Sequence, residues 1–194
     1  MKNSLTSLVL SSMLSLSAQI NPTDVEIVRD AYGVPHIYGK TDADVAYGLA
    51  WAHAEDDFKT IQEAYLAGNA LLSEHLGKRG AGPDFVSQFI GSKEFVEANY
   101  DEKISPEYKK VVEGYAQGFN RFAETHPEEV LHTALFPITP KMMLRYAQLQ
   151  LFVSSRGDYW ISRILENSVK LEAPKEEITG SNTFAFNSAK TTDG

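Results

Sequence analysis

Three helix-start signals constrain the fold of this 194-residue chain more than any other feature of its sequence. Thr41 precedes Asp44 by three residues, an acidic variant of the capping box, and this spacing predicts a helix over residues 42–66. Ser105-Pro106 and Thr139-Pro140 each place a capping side chain before a proline that suits the first helical position. The sequence therefore predicts a largely helical chain.

Short β-strands are predicted at both ends of the helical region. Residues 25–30 alternate in polarity, and a turn at Tyr32-Gly33 would lead into a second strand at 34–38, where Pro35 favours a sheet edge. Residues 182–187 alternate in the same way. The expected fold class is mainly α with short β-strands.

The first predicted helix carries two further patterns. Gly48 and Ala52 are four residues apart, which predicts that another backbone approaches the helix closely there. His53 and Asp57 have the same spacing, so both could reach one metal ion. Two ligands do not make a metal site, and simple solvation or pairing with basic neighbours is the favoured interpretation of the acidic residues near Asp57.

Charge and cysteine content narrow the function classes. The formal net charge of −8 disfavours a nucleic-acid partner, because phosphate binding relies on a surplus of lysine and arginine. The chain has no cysteine, which excludes disulfides, thiol catalysis and cysteine-based zinc sites.

The first 18 residues have the pattern of a secretory signal peptide. Lys2 gives a basic start, residues 5–16 are rich in leucine, and Ser17-Ala18 supplies small residues for cleavage before Gln19. A disordered or amphipathic tail is the alternative. The segment is too short and too rich in serine to span a bilayer stably, so we expect no stable membrane insertion. The signal-peptide interpretation predicts a periplasmic or secreted protein.

Two segments together resemble the penicillin-acylase superfamily of N-terminal-nucleophile hydrolases. Residues 29–37 (RDAYGVPHI), followed by residues 44–56 (DVAYGLAWAHAED), resemble the opening of the α subunit. Residues 179–182 (TGSN) resemble the junction at which the precursor cuts itself before a serine. Asp56-Asp57 departs from the Asp-Arg of many members. The run of residues 54–57 (AEDD), with Ala67-Gly68 and Leu76-Gly77 further on, is more similar to the branch that deacylates acyl-homoserine lactones and lipopeptides.

The resemblance implies a division of the chain into four parts. Residues 1–18 would be the signal peptide, 19–170 the α-subunit region, 171–180 a spacer, and 181–194 the start of the β subunit. The implied architecture is an αββα N-terminal-nucleophile fold, incomplete in these residues, whose partner is its own β subunit in a heterodimer.

The resemblance also implies the site residues. Ser181 would be the nucleophile, with its own α-amine as base, after cleavage of the Gly180–Ser181 bond. Arg156 and Trp160 would lie near the acyl-binding pocket, although Trp160 is equally well interpreted as core. Glu166 falls where some members place a calcium ligand, although an exposed helix glutamate is the favoured interpretation. No cofactor is required, and calcium would be structural.

The implied activity is hydrolysis of the carbon–nitrogen bond of linear acyl amides such as penicillins, acyl-homoserine lactones or lipopeptides. In the family the oxyanion donors lie further along the β subunit, so residues 1–194 alone are expected to be inactive. The alternative function is a non-catalytic helical binding domain of the cell envelope, in which Gly180-Ser181 is a chance loop.

Overall fold

Within residues 19–166, the part of the chain that the computed structural model describes, a two-stranded antiparallel sheet precedes seven α-helices. In chain order the elements are β1 (Glu26–Arg29), β2 (Pro35–Tyr38), α1 (Asp42–Gly68), α2 (Leu72–Leu76), α3 (Ala81–Phe89), α4 (Ser92–Lys103), α5 (Pro106–Thr125), α6 (Pro140–Ser154) and α7 (Gly157–Leu165). The chain divides into two bodies after Asp158. The mainly helical prediction is confirmed for the described residues.

Several sequence predictions concern residues outside this range. The signal peptide (1–18), the spacer (171–180) and the strand at 182–187 all lie outside the described residues. The same is true of Gly180 and Ser181. They remain predictions.

The helix caps form as their local sequences predict. The Thr41 hydroxyl oxygen accepts a hydrogen bond from the Asp44 amide at 3.2 Å, and the Asp44 carboxylate accepts one from the Thr41 amide at 2.9 Å. Ser105 and Thr139 each accept a hydrogen bond from the amide three residues further on. Each cap satisfies backbone donors that the first helical turn leaves unpaired.

Helix α1 is not continuous, because Asp57 leaves the helical conformation with φ −159° and ψ 69°. The Asp57 carboxylate accepts a hydrogen bond from the Thr60 amide at 3.1 Å and so caps the second half of the helix. The break reverses the order of contacts with α5. Trp51 contacts Phe122, whereas Tyr65, which comes later in α1, contacts Phe119, which comes earlier in α5. A continuous helix could not place both halves of α1 on α5.

The backbones of α1 and α5 approach each other at two glycines of α5. A Cβ atom on Gly114 would collide with the backbone carbonyl of Ala43, and one on Gly118 with that of Tyr47. The sequence predicts that another backbone approaches α1 at Gly48. This prediction is wrong, because side chains fill the space there. A Cβ on Gly48 would lie 2.5 Å from Cγ2 of Ile37, a residue of β2. The sheet therefore packs on α1 through side chains, whereas α5 packs on α1 through close backbone contacts.

Replacing Gly118 with alanine is expected to lower the free energy of unfolding by about 1–3 kcal/mol, because the new methyl group forces the two helices apart. Urea unfolding followed by circular dichroism measures the change. Gly82→Ala in α3 is the matched control, since nothing lies within 4 Å of a Cβ at that position. The control should stabilise the chain by up to about 1 kcal/mol. Equal stability of the two variants would contradict the close approach at Gly118.

Candidate functional site

The turn between β1 and β2 is organised by the carboxylate of Asp30. Its Oδ1 accepts hydrogen bonds from the Tyr32 amide at 2.8 Å and the Val34 amide at 3.0 Å. Its Oδ2 lies 3.2 Å from Nε2 of His36. The contact with His36, followed by the bond from the Tyr32 amide, lowers the pKa of Asp30 below its ordinary value. His36 therefore contributes to the structure of the turn.

Arg29 ties this turn to helix α1. Its guanidinium donates to the Gly33 carbonyl at 2.9 Å and forms ion pairs with Glu55 at 3.1 Å and Asp56 at 2.9 Å. The hydrogen bonds to Glu55 and then Asp56 raise the pKa of Arg29. The two acidic residues thus have a basic partner, as the favoured interpretation holds. The segments 29–37 and 44–56 that carry the family resemblance form one contact region in the fold.

His53 and Asp57 do not form a metal site. Nδ1 of His53 lies 3.0 Å from the Tyr115 hydroxyl, while the Asp57 carboxylate caps the second half of α1. The break at Asp57 removes the regular helical spacing on which the metal hypothesis depended. Among residues 19–166, no group of three or more histidine, aspartate or glutamate side chains could hold a metal ion.

Arg156, the first of the site residues implied for the acyl pocket, lies in the turn between α6 and α7. Its backbone has a φ of +60°, and its amide donates to the Val153 carbonyl at 2.8 Å. Gly157 follows, where a Cβ would collide with the ring of Phe152. These features terminate α6, and they leave the Arg156 side chain exposed at the end of the first body.

Trp160 and Glu166 belong to the second body. The rings of Trp160 and Tyr159 meet edge to face with 5.3 Å between centroids, and the guanidinium of Arg163 lies 5.9 Å from the centre of the Tyr159 ring. Trp160 is 37% exposed, which argues against its interpretation as plain core. Glu166 is exposed and its amide bonds to the Ser162 carbonyl at 3.0 Å.

Glu166 does not make a calcium site with its described neighbours. Calcium takes six to eight oxygen ligands, and Glu166 supplies one carboxylate. Among residues 19–166, Glu166 belongs to no group of three or more histidine, aspartate or glutamate side chains that could hold a metal ion. The described residues therefore do not form a calcium site by themselves. The proposed amide hydrolysis does not require calcium.

An apolar groove of about 630 Å³ opens between α1, α5 and α6 in the first body. Its floor includes Tyr65, whose pKa is raised by burial and then by its contacts with Tyr115. Tyr65 therefore keeps its hydroxyl proton at neutral pH. Leu151 at the rim is 67% exposed. The lining is mainly aromatic and aliphatic and includes Tyr65, Tyr108, Val112, Met143, Tyr146 and Leu151.

Sequence reasoning missed the polar network below this groove. Tyr115 joins the buried Tyr65 to the exposed His53, and Tyr115 and His53 are 62 positions apart in the chain. Nothing in the sequence near Tyr115 indicates which side chains its hydroxyl meets. A distant pair of this kind has no sequence signal in a single chain.

Comparison with known proteins decides the family. The sequence profile of the penicillin amidase family matches residues 24–194. The chain belongs to the penicillin amidase family. The match includes both segments on which the sequence resemblance rests.

Two curated relatives of this penicillin amidase chain are acylases by name. The chain is 27% identical to penicillin G acylase of Escherichia coli over 191 residues, covering 89% of this chain and 21% of the relative. It is 28% identical to the acyl-homoserine lactone acylase PvdQ of Pseudomonas fluorescens over 112 residues, covering 54% of this chain and 14% of the relative. The chain thus spans about a fifth or less of the length of these relatives.

A solved structure shares the fold. The thermostable penicillin G acylase of Alcaligenes faecalis superposes with a TM-score of 0.58 at 17% identity, covering 83% of this chain and 98% of the solved chain. At this identity the likeness concerns the fold alone.

No helix in the described part of our penicillin amidase chain is long and apolar enough to cross a membrane.

In this penicillin amidase chain, replacing Asp30 with asparagine is expected to lower stability at neutral pH more than at pH 3. The folded pKa of Asp30 is lowered, so the carboxylate contributes stability above its unfolded pKa of about 3.9 and loses that contribution as the pH falls through the folded value. Urea midpoints at pH 7 and pH 3 measure the difference. Asp101→Asn, at an 85% exposed carboxylate, is the control. An identical gap at both pH values would refute this role of Asp30.

Proposed function

We propose that this chain is the N-terminal part of an acylase precursor that hydrolyses the carbon–nitrogen bond of linear acyl amides. One observation carries the proposal. The penicillin amidase profile runs from residue 24 to residue 194 and so includes Gly180 and Ser181, the pair that resembles the self-cleaving junction. A non-catalytic envelope domain gains no support from this match.

In the proposed maturation step, Ser181 is its own nucleophile. Its Oγ attacks the carbonyl carbon of Gly180, the amide C–N bond breaks, and the released nitrogen takes up the hydroxyl proton. Water then hydrolyses the ester that joins the two residues and leaves a carboxylate on Gly180. Glycine suits this position because it has no Cβ and tolerates the strained turn that the attack requires.

The cleaved chain would then begin a new polypeptide at Ser181. A free α-amine has a pKa of about 7.7–8.0, so a useful neutral fraction is present near pH 7. That amine accepts the Ser181 hydroxyl proton directly or through water, so no histidine is needed as base. The hydroxyl oxygen attacks the substrate amide, the amine leaves, and water releases the carboxylic acid from the acyl-enzyme.

Two features support a two-chain enzyme with residues 19–170 as its α-subunit region. The superposition covers nearly all of the solved acylase chain, so that chain is about the size of the helical region described above. The relatives are about four times as long as this chain, which leaves room for a large β subunit. The completed αββα fold, the removal of residues 1–18 and 171–180, and a periplasmic or secreted location belong to the same proposal.

The acyl group of the substrate would be apolar. Tyr159 and Trp160 present partly exposed aromatic rings on α7, and such rings suit an apolar acyl chain. Arg156, in the first body, is a proposed substrate-binding residue on the family resemblance alone. The relatives are named for the deacylation of penicillin G and of acyl-homoserine lactones.

The test is to identify the new N-terminus in a precursor that continues past Gly194. Mass spectrometry of the purified product should show two polypeptides, of which the second begins at Ser181. A single uncut polypeptide, or a break elsewhere, would refute the proposed junction. Residues 1–194 alone should hydrolyse no acyl amide, because the oxyanion donors are proposed to lie in the β subunit, and Ser181-dependent hydrolysis by this shorter chain would contradict that part.

A further inference from the structure

Two adjoining cavities in the first body share three lining residues, Pro22, Tyr47 and Arg121. Their volumes are about 580 Å³ and about 600 Å³. Small-molecule sites in proteins usually measure about 300–1,000 Å³. We call the two cavities together the Tyr47 cavity, after the aromatic residue that lines both of them. The Tyr47 cavity is therefore large enough for a small ligand.

The Tyr47 side chain is the feature of this cavity that points to a ligand. Tyr47 is 6% exposed, and its hydroxyl has no hydrogen-bond partner among residues 19–166. Burial raises the pKa of Tyr47, so the hydroxyl keeps its proton at neutral pH and is a donor without an acceptor. The hydroxyl is not enclosed by protein atoms, so it can reach a molecule in the cavity. Because buried polar groups are nearly always paired, this hydroxyl indicates an acceptor that the described residues do not supply.

Arg121 brings a positive charge to the same part of the cavity. After burial, which raises the pKa of Tyr47, the charge of Arg121 lowers it and that of Glu124 raises it. The Arg121 guanidinium contacts the Glu124 carboxylate at 3.4 Å, and the two side chains are 51% and 66% exposed. Exposed pairs of this kind contribute little to stability, so Arg121 can turn toward an anion in the cavity. A guanidinium and a hydroxyl donor together suit a carboxylate.

Arg29 and Glu55 also line the cavity, but their charges are engaged with other side chains. Oε1 of Glu55 accepts a hydrogen bond from the Trp51 indole at 2.8 Å, and Oε2 accepts one from Arg29 at 3.1 Å. Arg29 forms a second ion pair with Asp56 at 2.9 Å. Arg121 is therefore the lining cation whose pairing is weaker.

An apolar wall lies beside these polar groups in the second cavity. It consists of Pro22, Val25, Ile27 and the ring of Trp51. The Trp51 ring contacts that of Phe122 edge to face with 5.2 Å between centroids, which fixes its position. Ligand sites commonly combine such apolar walls with a few polar groups that orient the ligand.

We propose that the Tyr47 cavity binds a small monocarboxylic acid with an apolar body. The ligand carboxylate accepts hydrogen bonds from the Tyr47 hydroxyl and the Arg121 guanidinium. The apolar body packs against Ile27 and the ring of Trp51. The ligand thereby supplies the acceptor that Tyr47 lacks among the described residues.

This proposal goes beyond the proposed function, because it concerns a binding site in the first body and requires neither cleavage at Ser181 nor amide hydrolysis. The proposed hydrolysis releases an acid of this class, so a product of the reaction is one candidate ligand. Failure of binding would leave the self-cleaving junction untouched, and an uncut junction would leave the binding untouched. The experiment therefore uses the 194-residue chain, with no amide substrate.

Isothermal titration calorimetry with benzoate tests the proposal. Benzoate should bind the wild-type chain at one site. Tyr47→Phe removes only the hydroxyl and should weaken binding by about tenfold or more, because hydrogen bonds to charged groups are among the strong ones. Arg121→Gln should weaken binding by at least as much.

Two matched variants on α5 serve as controls. Tyr108→Phe removes a hydroxyl from a tyrosine that is 51% exposed, and Lys110→Gln removes a positive charge from an exposed side chain. Both should bind benzoate as tightly as the wild type. Because Tyr108 lines the groove between α1, α5 and α6, its variant also reports any binding there.

Two matched ligands test the recognition of the carboxylate. Benzamide and benzylamine keep the ring of benzoate but replace the carboxylate with a neutral amide and with a cation. Both should bind at least about tenfold more weakly than benzoate. The cation is the stricter comparison, because Glu55 and Glu124 also line the cavity.

Thermal unfolding gives a second readout that does not depend on calorimetry. Without ligand, Tyr47→Phe should have a Tm no lower than that of the wild type, because it removes a buried hydroxyl that has no partner among the described residues. Benzoate should raise the Tm of the wild type, since a ligand that binds the folded state stabilises it. Most of that rise should be absent in Tyr47→Phe.

Four results would overturn the proposal. The first is an absence of benzoate binding to the wild-type chain. The second is equal affinity of Tyr47→Phe and the wild type, or weaker binding by Tyr108→Phe. The third is binding of benzamide or benzylamine as tight as that of benzoate. The fourth is a lower Tm of ligand-free Tyr47→Phe, since it would show that the hydroxyl already has a partner in the chain.

Discussion

In a precursor that continues past Gly194, replacing Ser181 with alanine is expected to leave the Gly180–Ser181 bond intact. It is also expected to lower amide hydrolysis by about 10⁴-fold or more, the scale seen when a catalytic nucleophile is removed. The cause is the same for both effects, because the proposed mechanism uses one hydroxyl first on the chain and then on the substrate. Gel analysis of processing and the kcat for an acyl amide measure the two effects.

The control for this prediction is Ser188→Ala, which removes a hydroxyl seven residues away in the same segment. It should process normally and keep kcat within about twofold of the wild type, as expected for a hydroxyl that takes no part in the reaction. Processing of Ser181→Ala at the wild-type rate would show that another residue, or another enzyme, cuts the precursor. Activity in that variant would exclude Ser181 as the nucleophile.

The largest expected effect on stability comes from Phe119→Ala, which should lower the free energy of unfolding by about 3–5 kcal/mol. Phe119 is fully buried. Its ring lies 5.0 Å from that of Phe58, 5.6 Å from that of Tyr65 and 5.8 Å from that of Phe136, between centroids. Truncation leaves a cavity among aromatic side chains that the surrounding helices cannot close.

Thermal unfolding of residues 1–194 measures this loss, and a decrease in Tm of about 10 °C or more is expected for a chain of this size. Phe89→Ala in α3 makes the same truncation at a side chain that is 61% exposed, and should change Tm by no more than a few degrees. A similar Tm for the two variants would contradict the position of Phe119 at the centre of the core.

The predictions that succeeded concern short stretches of chain. The Thr41 capping box, the prolines after Ser105 and Thr139, and the turn at Tyr32-Gly33 each depend on residues within a few positions of one another. Local hydrogen bonds decide such features, so the local sequence contains what is needed to predict them.

The predictions that failed concern contacts between distant residues. The spacing of Gly48 and Ala52 shows that one face of the helix carries small residues. It does not say whether a backbone or a side chain of another element will contact that face. The periodic pattern over residues 42–66 likewise does not reveal the break at Asp57, because an aspartate suits both a helix surface and an internal cap.

The candidate site divides in the same way. The motif at residues 29–37 was visible in the sequence, but its role was not, because the partners of Arg29 are Glu55 and Asp56 on a helix that begins thirteen residues after it. The family, now shown by the match over residues 24–194, was also readable from these motifs.

The sequence by itself determined the helix starts, the strand turn and the family, because each rests on residues that act through their neighbours in the chain or through a recognisable motif. Only the tertiary structure decided that Gly114 and Gly118 bring α5 onto α1 and that Arg29 joins the sheet to α1. These features depend on which distant surfaces meet, and packing between distant segments leaves no pattern within any one of them.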